Sequence, residues 1–506
     1  MPNAPRQAIP ERHQHPIAMF KYIYRYLFLL LFPLARGLRY IRSPQGLYAW
    51  VKGTWQDLLV VFLLLLLSYL GWQFHTYTLD EEGFTIRRGV FLHRTSYIPR
   101  HNIVTLSVER PLYLRPLRAV RIAIDTDAGG SRQADFSLTV GEPRAKEILD
   151  QRQSHESQPL HAYSPRWYHV VVLSLLISNS FSGIFLLATT FQQSGRLLGE
   201  GFRQQLLGDL ETVAGYVTWI PRSAALIALV LIGGWGVSAI RNMFRYLPFR
   251  VSRYKSFLTI RTGLFTRRDY SCAAKSVNFV DYRQSIVSRL LHLDMVFINC
   301  IGYGKEKNSM SVLVPVSSIR HSESEVRRLL PEFTRRPVTL KAAFLSIYRY
   351  VFYPLWTMIL LYPVSRQLQS WFPQWQELIY YLTTMAYIPC AWQLLVKTID
   401  RFTAGISRRD RFFNLKYSKW YTFHTVLIPE DKVVAYALTQ TPFQAMAHNC
   451  DVLVYTYNEA SRYHRIRNLP MKQAQELFAG IPSVQPQKGS DVYEHHTTGR
   501  IGRPTV

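Results

Sequence analysis

At 506 residues the chain is long for a single domain, and its mean hydropathy of −0.03 averages long apolar runs with three polar, basic blocks. A formal charge of +27 requires an anionic neighbour, either nucleic acid or the anionic leaflet of a membrane, and the apolar runs favour the leaflet. The four cysteines (Cys272, Cys300, Cys390 and Cys450) contain no C-x-x-C pair, which excludes a disulfide framework and a zinc site.

In chain order, the N-terminus is rich in Pro, Arg and His and shows no signal-peptide cleavage pattern. Ile23–Leu34 is a short apolar segment carrying Arg25 and Pro33. Leu58–Phe74 has the length and composition of a membrane span, which needs about 20 apolar residues. Strand-like alternation follows over Thr85–Arg94 around Gly89, then over Ile103–Val108, Arg121–Asp125 and Phe136–Val140, and a helical pattern begins at Pro143. Val170–Phe191 and Ser223–Ile240 form a second apolar pair, and Phe352–Val364 and Leu378–Val396 a third, with Arg349 just upstream.

The block after the first pair recurs after the second. Ile86-Arg87-Arg88-Gly89 aligns with Ile260-Arg261-Thr262-Gly263 at a constant offset of 174 residues, which also carries Leu112 onto Ile286 and Arg115 onto Arg289 without a gap. A weaker third copy, offset by 330, places Ile98-Pro99 on Ile428-Pro429, with Lys419 at the glycine position. Two apolar segments separate successive copies, so all three lie on one side of the membrane. The arginines and lysines flanking the segments put that side in the cytoplasm.

The order of strand, I-R-x-G, basic turn, I-P, apolar strand and L-x-x-L stretch resembles the bacterial pleckstrin-homology (PH-like) domain of membrane proteins, in its three-domain form. The resemblance implies an α+β membrane protein: three small seven-stranded PH-like β-barrels, each closed by a C-terminal helix, alternating with transmembrane helical hairpins. The boundaries expected are a tail and first hairpin at 1–75, domain 1 at 76–155, hairpin 2 at 166–243, domain 2 at 246–335, hairpin 3 at 342–397, a divergent domain 3 at 400–482, and a disordered tail at 483–506. It also implies a partner, a smaller membrane protein with one PH-like domain, beside self-association and membrane lipids.

Candidate binding residues are Arg87, Arg88, Arg94, Arg261, Arg267 and Arg268, which crowd the first turn of two copies. Guanidinium groups fork onto phosphate, so headgroup binding is chemically reasonable; a solvated basic face near an anionic membrane is the plainer account. Asp125-Thr126-Asp127 has a metal-binding spacing but sits before Ala128-Gly129-Gly130, where aspartate serves a turn. Gly302-Tyr303-Gly304-Lys305 lacks the frame of a phosphate loop, and His292, His448 and His464 are scattered. No catalytic, cofactor or metal constellation is present in the sequence. Trp72, Trp167, Trp219 and Trp392 follow segment ends, as an interfacial aromatic belt does, which argues against a nucleic-acid surface. The reading adopted is a non-enzymatic, multi-pass inner-membrane protein that binds partner proteins or anionic headgroups. Its competitor is an accessory to transport or export of a lipid, peptide or toxic compound.

Overall fold

The computed structural model describes residues 12–19, 55–80, 83–89, 92–126, 136–153, 158–178, 200–215, 221–301, 303, 311–342, 347–456 and 463–484. The expected segment Ile23–Leu34 and most of Val170–Phe191 lie outside them.

Among the described residues the strands fall into three rounds of seven. The first is β1 (Arg12–His13), helix α1 (Trp55–Gln73), β2 (Thr76–Leu79), β3 (Gly83–Arg88), β4 (Arg94–Pro99), β5 (Ile103–Arg110), β6 (Ala119–Thr126), β7 (Phe136–Gly141) and closing helix α2 (Glu142–Gln153). The second is β8 (His161–Tyr163), α3 (Trp167–Ile177), α4 (Glu200–Gly215), α5 (Arg222–Tyr246), β9 (Arg250–Arg253), β10 (Phe257–Thr262), β11 (Arg267–Ala273), β12 (Val277–Ser285), the short α6 (Ile286–Leu290), β13 (Leu293–Cys300), β14 (Val312–Ser318) and α7 (Ile319–Leu329). The third is β15 (Leu340–Lys341), α8 (Ile347–Trp371), α9 (Gln376–Thr403), β16 (Gly405–Arg409), β17 (Phe412–Lys419), β18 (Thr422–Pro429), β19 (Val433–Thr439), α10 (Pro442–Met446), β20 (Asn449–Thr456), β21 (His464–Pro470) and α11 (Met471–Leu477). Each round thus has one short strand before its apolar helices and six after them.

The strands do not close into barrels. Every round divides into a first half of four strands and a second half of three, and the halves belong to different sheets. In the first compact unit (Met1–Leu160, Arg253–Ser276 and Ile301–Glu306), one sheet runs β1-β2-β3-β4 and another contains β7-β6-β5-β11-β10. In the second unit, one sheet runs β14-β13-β12-β18-β17-β16-β15 and another β19-β20-β21. The expected closed barrel fails because a strand edge serves only one neighbour. The outer edge of β5 is taken by β11, and that of β12 by β18.

Alternation explains the cores. Along β5 and β6, Leu106, Val108, Ile122 and Ile124 turn inward against Phe84, Ile86 and Ile98 from the first half, and Ala145 and Ile148 of α2 cover them. In the second unit Phe413, Leu415, Val426 and Ile428 meet Val452, Val454 and Ile466, with Ala474 and Phe478 at the closing helix. Each fully buried aliphatic side chain contributes about 1.5–3 kcal/mol. The non-glycine residues Arg118, His292 and His448 hold φ of +49°, +55° and +51° at matching places, the second and third displaced from the first by the two repeat offsets. The third round therefore keeps the local geometry of the others despite its divergent sequence.

The first hairpin of the third round also forms, although it lacks the glycine. β17 runs through Lys419, and the two-residue turn places Trp420 at φ +54°. Among the described residues one helix segment, Ala224–Tyr246, is long and apolar enough to cross a bilayer, and Trp167–Ile177 is apolar but shorter. The helices α8 and α9 pack against each other, with Phe352, Trp356, Ile359 and Ile388 exposed, and polar residues such as Arg366, Gln367 and Gln393 dilute them.

Candidate functional site

The six candidate arginines lie on two hairpins of the first unit. Arg88 and Arg94 face each other across the turn at Gly89, whose φ of +119° suits only glycine; a Cβ there would stand 1.8 Å from the Leu92 carbonyl oxygen. Arg261, Arg267 and Arg268 flank the equivalent turn at Gly263, φ +97°. Their surroundings differ. Arg268 is spent on Glu109, 3.3 Å away, and both side chains are mostly buried. Arg261 lies 3.4 Å from Asp269, which is also 3.5 Å from Arg110. The Arg88 guanidinium sits over the Phe136 ring at 5.6 Å. Arg87 is exposed, whereas Arg94 and Arg267 are exposed and have no partner among the described residues. The hairpins therefore present some cations for an anionic ligand and commit others to the fold.

Arg268–Glu109 belongs to a seam that the sequence did not announce. β11 pairs antiparallel with β5, with Ser271 opposite Leu106 and Arg268 opposite Glu109. Beside it, Arg115 donates to the carbonyl oxygens of Leu264 and Phe265, each at 2.8 Å. β18 pairs with β12 in the same way, Leu427 opposite Val280 and His424 opposite Arg283. Here Asp281 accepts from Arg283 at 2.6 Å and lies 3.0 Å from His424 Nδ1. Arg289, the counterpart of Arg115, stands over the Phe423 ring at 4.9 Å.

Around the second seam the polar groups are buried and paired. Burial alone would push the Asp281 carboxyl up, but His424 and Arg283 outweigh it and hold it well below the usual carboxylate range. The Tyr417 ring stacks on His424, 5.3 Å between centroids, and its hydroxyl pairs with His464 Nδ1 at 2.8 Å. Burial pushes His464 down to about 4, so it is neutral at physiological pH. With Asp281 and His464 each 3% exposed, a substrate has no access to this constellation, and it acts as a polar lock between strands. Lys397 at the end of α9 is tied in as well, donating to Ser418 Oγ at 2.6 Å, which itself donates to Asp400 at 2.7 Å.

A cavity of about 190 Å³ in the first unit is lined by Leu79, Phe84, Ile103 and Ile148, with Asp80 and Arg100 at its polar side. Asp125 is buried in β6; Asp127 and the following turn lie outside the described residues, as do Gly302, Gly304 and Lys305. His292 and His448 occupy left-handed turn positions, and no group of three potential metal ligands occurs among the described residues.

The sequence profile of the Bacterial PH domain family matches residues 32–155 and 205–330, which hold β2–β7 and β9–β14. Those two regions are bacterial PH domains. The chain is 23% identical over 337 residues to the UPF0699 transmembrane protein YdbT of Bacillus subtilis, covering 62% of this chain and 68% of the relative. Among the described residues the helix segment Ala224–Tyr246, long and apolar enough to cross a bilayer, is in keeping with that likeness. Two features of the architecture escaped the sequence reading. The opening strands β1, β8 and β15 are two or three residues long, below any periodic signal. The seams join residues about 140 to 165 positions apart, and their one trace in the sequence is a basic residue at equivalent places, Arg94, Arg268 and His424.

Proposed function

We propose that this PH-domain protein is a non-enzymatic, multi-pass inner-membrane scaffold whose three repeats lie in the cytoplasm and bind partner proteins or anionic lipid headgroups. The observation that carries this reading is the placement of apolar helices between the first and second strand of every round. A domain whose first strand pairs with its second must receive the chain back on the side from which it left, so each helical insertion is a re-entrant or spanning hairpin and all three repeats share one side. The arginine-rich flanks favour the cytoplasm for that side. There the exposed Arg87, Arg94 and Arg267 face an anionic leaflet, where each charge contributes about 1 kcal/mol of attraction.

The test is thiol labelling of single exposed cysteines, one per repeat: Thr95→Cys, Lys255→Cys and Asp431→Cys. In intact spheroplasts all three should resist a membrane-impermeant maleimide and react after permeabilisation. Reaction of any one before permeabilisation overturns the topology.

A further inference from the structure

Three rounds of strands offer three fourth strands (β4, β11, β18) and three fifth strands (β5, β12, β19), and among the described residues two seams form, β5–β11 and β12–β18. The two seams share one register: Ser271 faces Leu106 and Leu427 faces Val280, equivalent positions in successive repeats. Each seam joins a basic residue on the fourth strand to a carboxylate on the fifth, Arg268 to Glu109 at 3.3 Å and His424 to Asp281 at 3.0 Å. Arg115 and Arg289 add a second tie from the segment that follows the fifth strand. The strands left over are β4 and β19.

These two ends differ. On β19, Tyr436 is the equivalent of Leu106 and Val280, and the chain's own tail takes its edge: Tyr436 N–H donates to Pro482 O at 3.0 Å, and Val484 N–H donates to Tyr436 O at 2.8 Å. The tail therefore sits where a fourth strand sits elsewhere. β19 also lacks the seam chemistry, with Ala437 in place of Asp281, Thr439 in place of Glu109 and Ala445 in place of Arg115 and Arg289. β4 is the reverse. It ends its sheet among the described residues, Ile98 buries in the core and fixes it, and Thr95 and Tyr97 are exposed. Arg94, the counterpart of Arg268 and His424, has no partner among the described residues. An unpaired edge is a template for another strand and is commonly blunted; here the β19 edge is strapped, and no strand covers the β4 edge among the described residues.

We infer that the β4 edge is a docking seam for the fifth strand of a PH-like domain on a different polypeptide. The inference rests on the partner-binding arm of the function proposed above. The incoming strand runs antiparallel in the register of the two internal seams, so its residue at the Leu106 position falls opposite Tyr97. A carboxylate at the Glu109 or Asp281 position meets Arg94. Main-chain hydrogen bonds supply the affinity of such strand addition, and the ion pair supplies register. A second copy of this chain is the poorer occupant, because β5 and β12 are used and β19 is strapped and carries no carboxylate facing that position.

The experiment places a photo-crosslinking benzoylphenylalanine at Tyr97 in the full-length protein in its native membranes and sequences the adduct. The expected adduct is a peptide from the fifth strand of a PH-like domain in another protein, carrying an Asp or Glu. Arg94→Glu should cut its yield about tenfold, while Arg94→Lys keeps it and both variants unfold at the wild-type temperature. Adducts with β19 of a second copy, with the same chain, with lipid alone or with an unrelated surface overturn the inference, as does the absence of any adduct. A lipid adduct leaves the headgroup arm of the proposed function standing, and thiol labelling tests the topology separately.

Discussion

Arg268 of the second repeat lies 3.3 Å from Glu109 of the first, and Arg94, at the same position one repeat earlier, faces no carboxylate among the described residues. One residue type at equivalent places thus has two energetic roles, and a pair of reversals separates them. Arg268→Glu sets two carboxylates side by side in a mostly buried seam and should destabilise the protein by about 2–4 kcal/mol. Adding Glu109→Arg should recover most of that loss, and Arg94→Glu alone should change stability by less than about 0.5 kcal/mol. Thermal unfolding of the detergent-solubilised protein measures all three; equal effects of Arg94→Glu and Arg268→Glu would mean that the seam is not held by charge.

His464 predicts an acid limb of stability. Its folded value of about 4 lies below the ordinary 6.5, so the unfolded chain takes up the proton first as pH falls. The stability that neutral His464 preserves is complete above about pH 6.5 and is lost progressively down to about pH 4, by roughly 3 kcal/mol. Asp281 is depressed below its ordinary 3.8, so its contribution disappears only at lower pH and does not blur that window. The difference in denaturant midpoint between wild type and His464→Gln should therefore shrink as pH drops from 6.5 to 4. A pH-independent difference would show that the ring titrates alike in both states.

A third pair fixes the second repeat. Arg335 bonds to Asp294, which is fully buried, lies 3.3 Å from Glu323, and stacks over the Tyr282 ring at 4.1 Å. Burial raises the Asp294 carboxyl, and Arg335 opposes that shift. Arg335→Ala leaves a buried carboxylate without its cation and should cost about 3–5 kcal/mol. Arg335→Ala combined with Asp294→Asn should cost less than the single change, since the amide carries no charge to strand in the interior. Chemical denaturation of the two variants checks this.

Much of this architecture was legible because it rests on periods of two and on offsets. The alternation over Ile103–Val108 and Phe136–Val140 became β5 and β7, the pattern from Pro143 became α2, and the glycines at 89 and 263 took positive φ. Sheet partnership was not legible. Nothing in the local sequence of β5 distinguishes an edge facing β4 of its own repeat from one facing β11 of the next, since main-chain pairing is indifferent to chain position. Lys419 stands where the other copies have glycine, yet the hairpin forms, because Trp420 takes the left-handed conformation that glycine supplies elsewhere. Among the candidate arginines, residue type fixed the charge; Asp269, beside Arg261, lies across the same hairpin, whereas the Glu109 that neutralises Arg268 comes from a strand the sequence could not place beside it.

That turn is a source of recoverable stability. Trp420 is 68% exposed, so its ring earns little by burial, while a bulky residue at φ +54° costs about 1 kcal/mol relative to glycine. Trp420→Gly should raise the melting temperature by a few degrees if the ring has no external contact. A fall on substitution in bilayers but not in detergent would mean that the exposed indole rests on lipid.

The exposed arginines give the lipid arm of the function its own test. In nanodiscs containing phosphatidylserine at low salt, amide exchange over the hairpin turn at residues 262–268 should be slower than in zwitterionic discs, because Arg267 adds about 1 kcal/mol of attraction near an anionic surface. Raising the salt to 0.5 M should remove the difference, since the Debye length falls below about 5 Å. Arg267→Glu should remove it at low salt as well. Arg261→Glu should act less simply, because Arg261 already serves Asp269 and its loss also frees that carboxylate to repel the surface. If exchange is the same in both lipids while Arg267 remains in place, the basic hairpin of the second repeat does not read the headgroups, and its cations serve solubility or a protein surface instead.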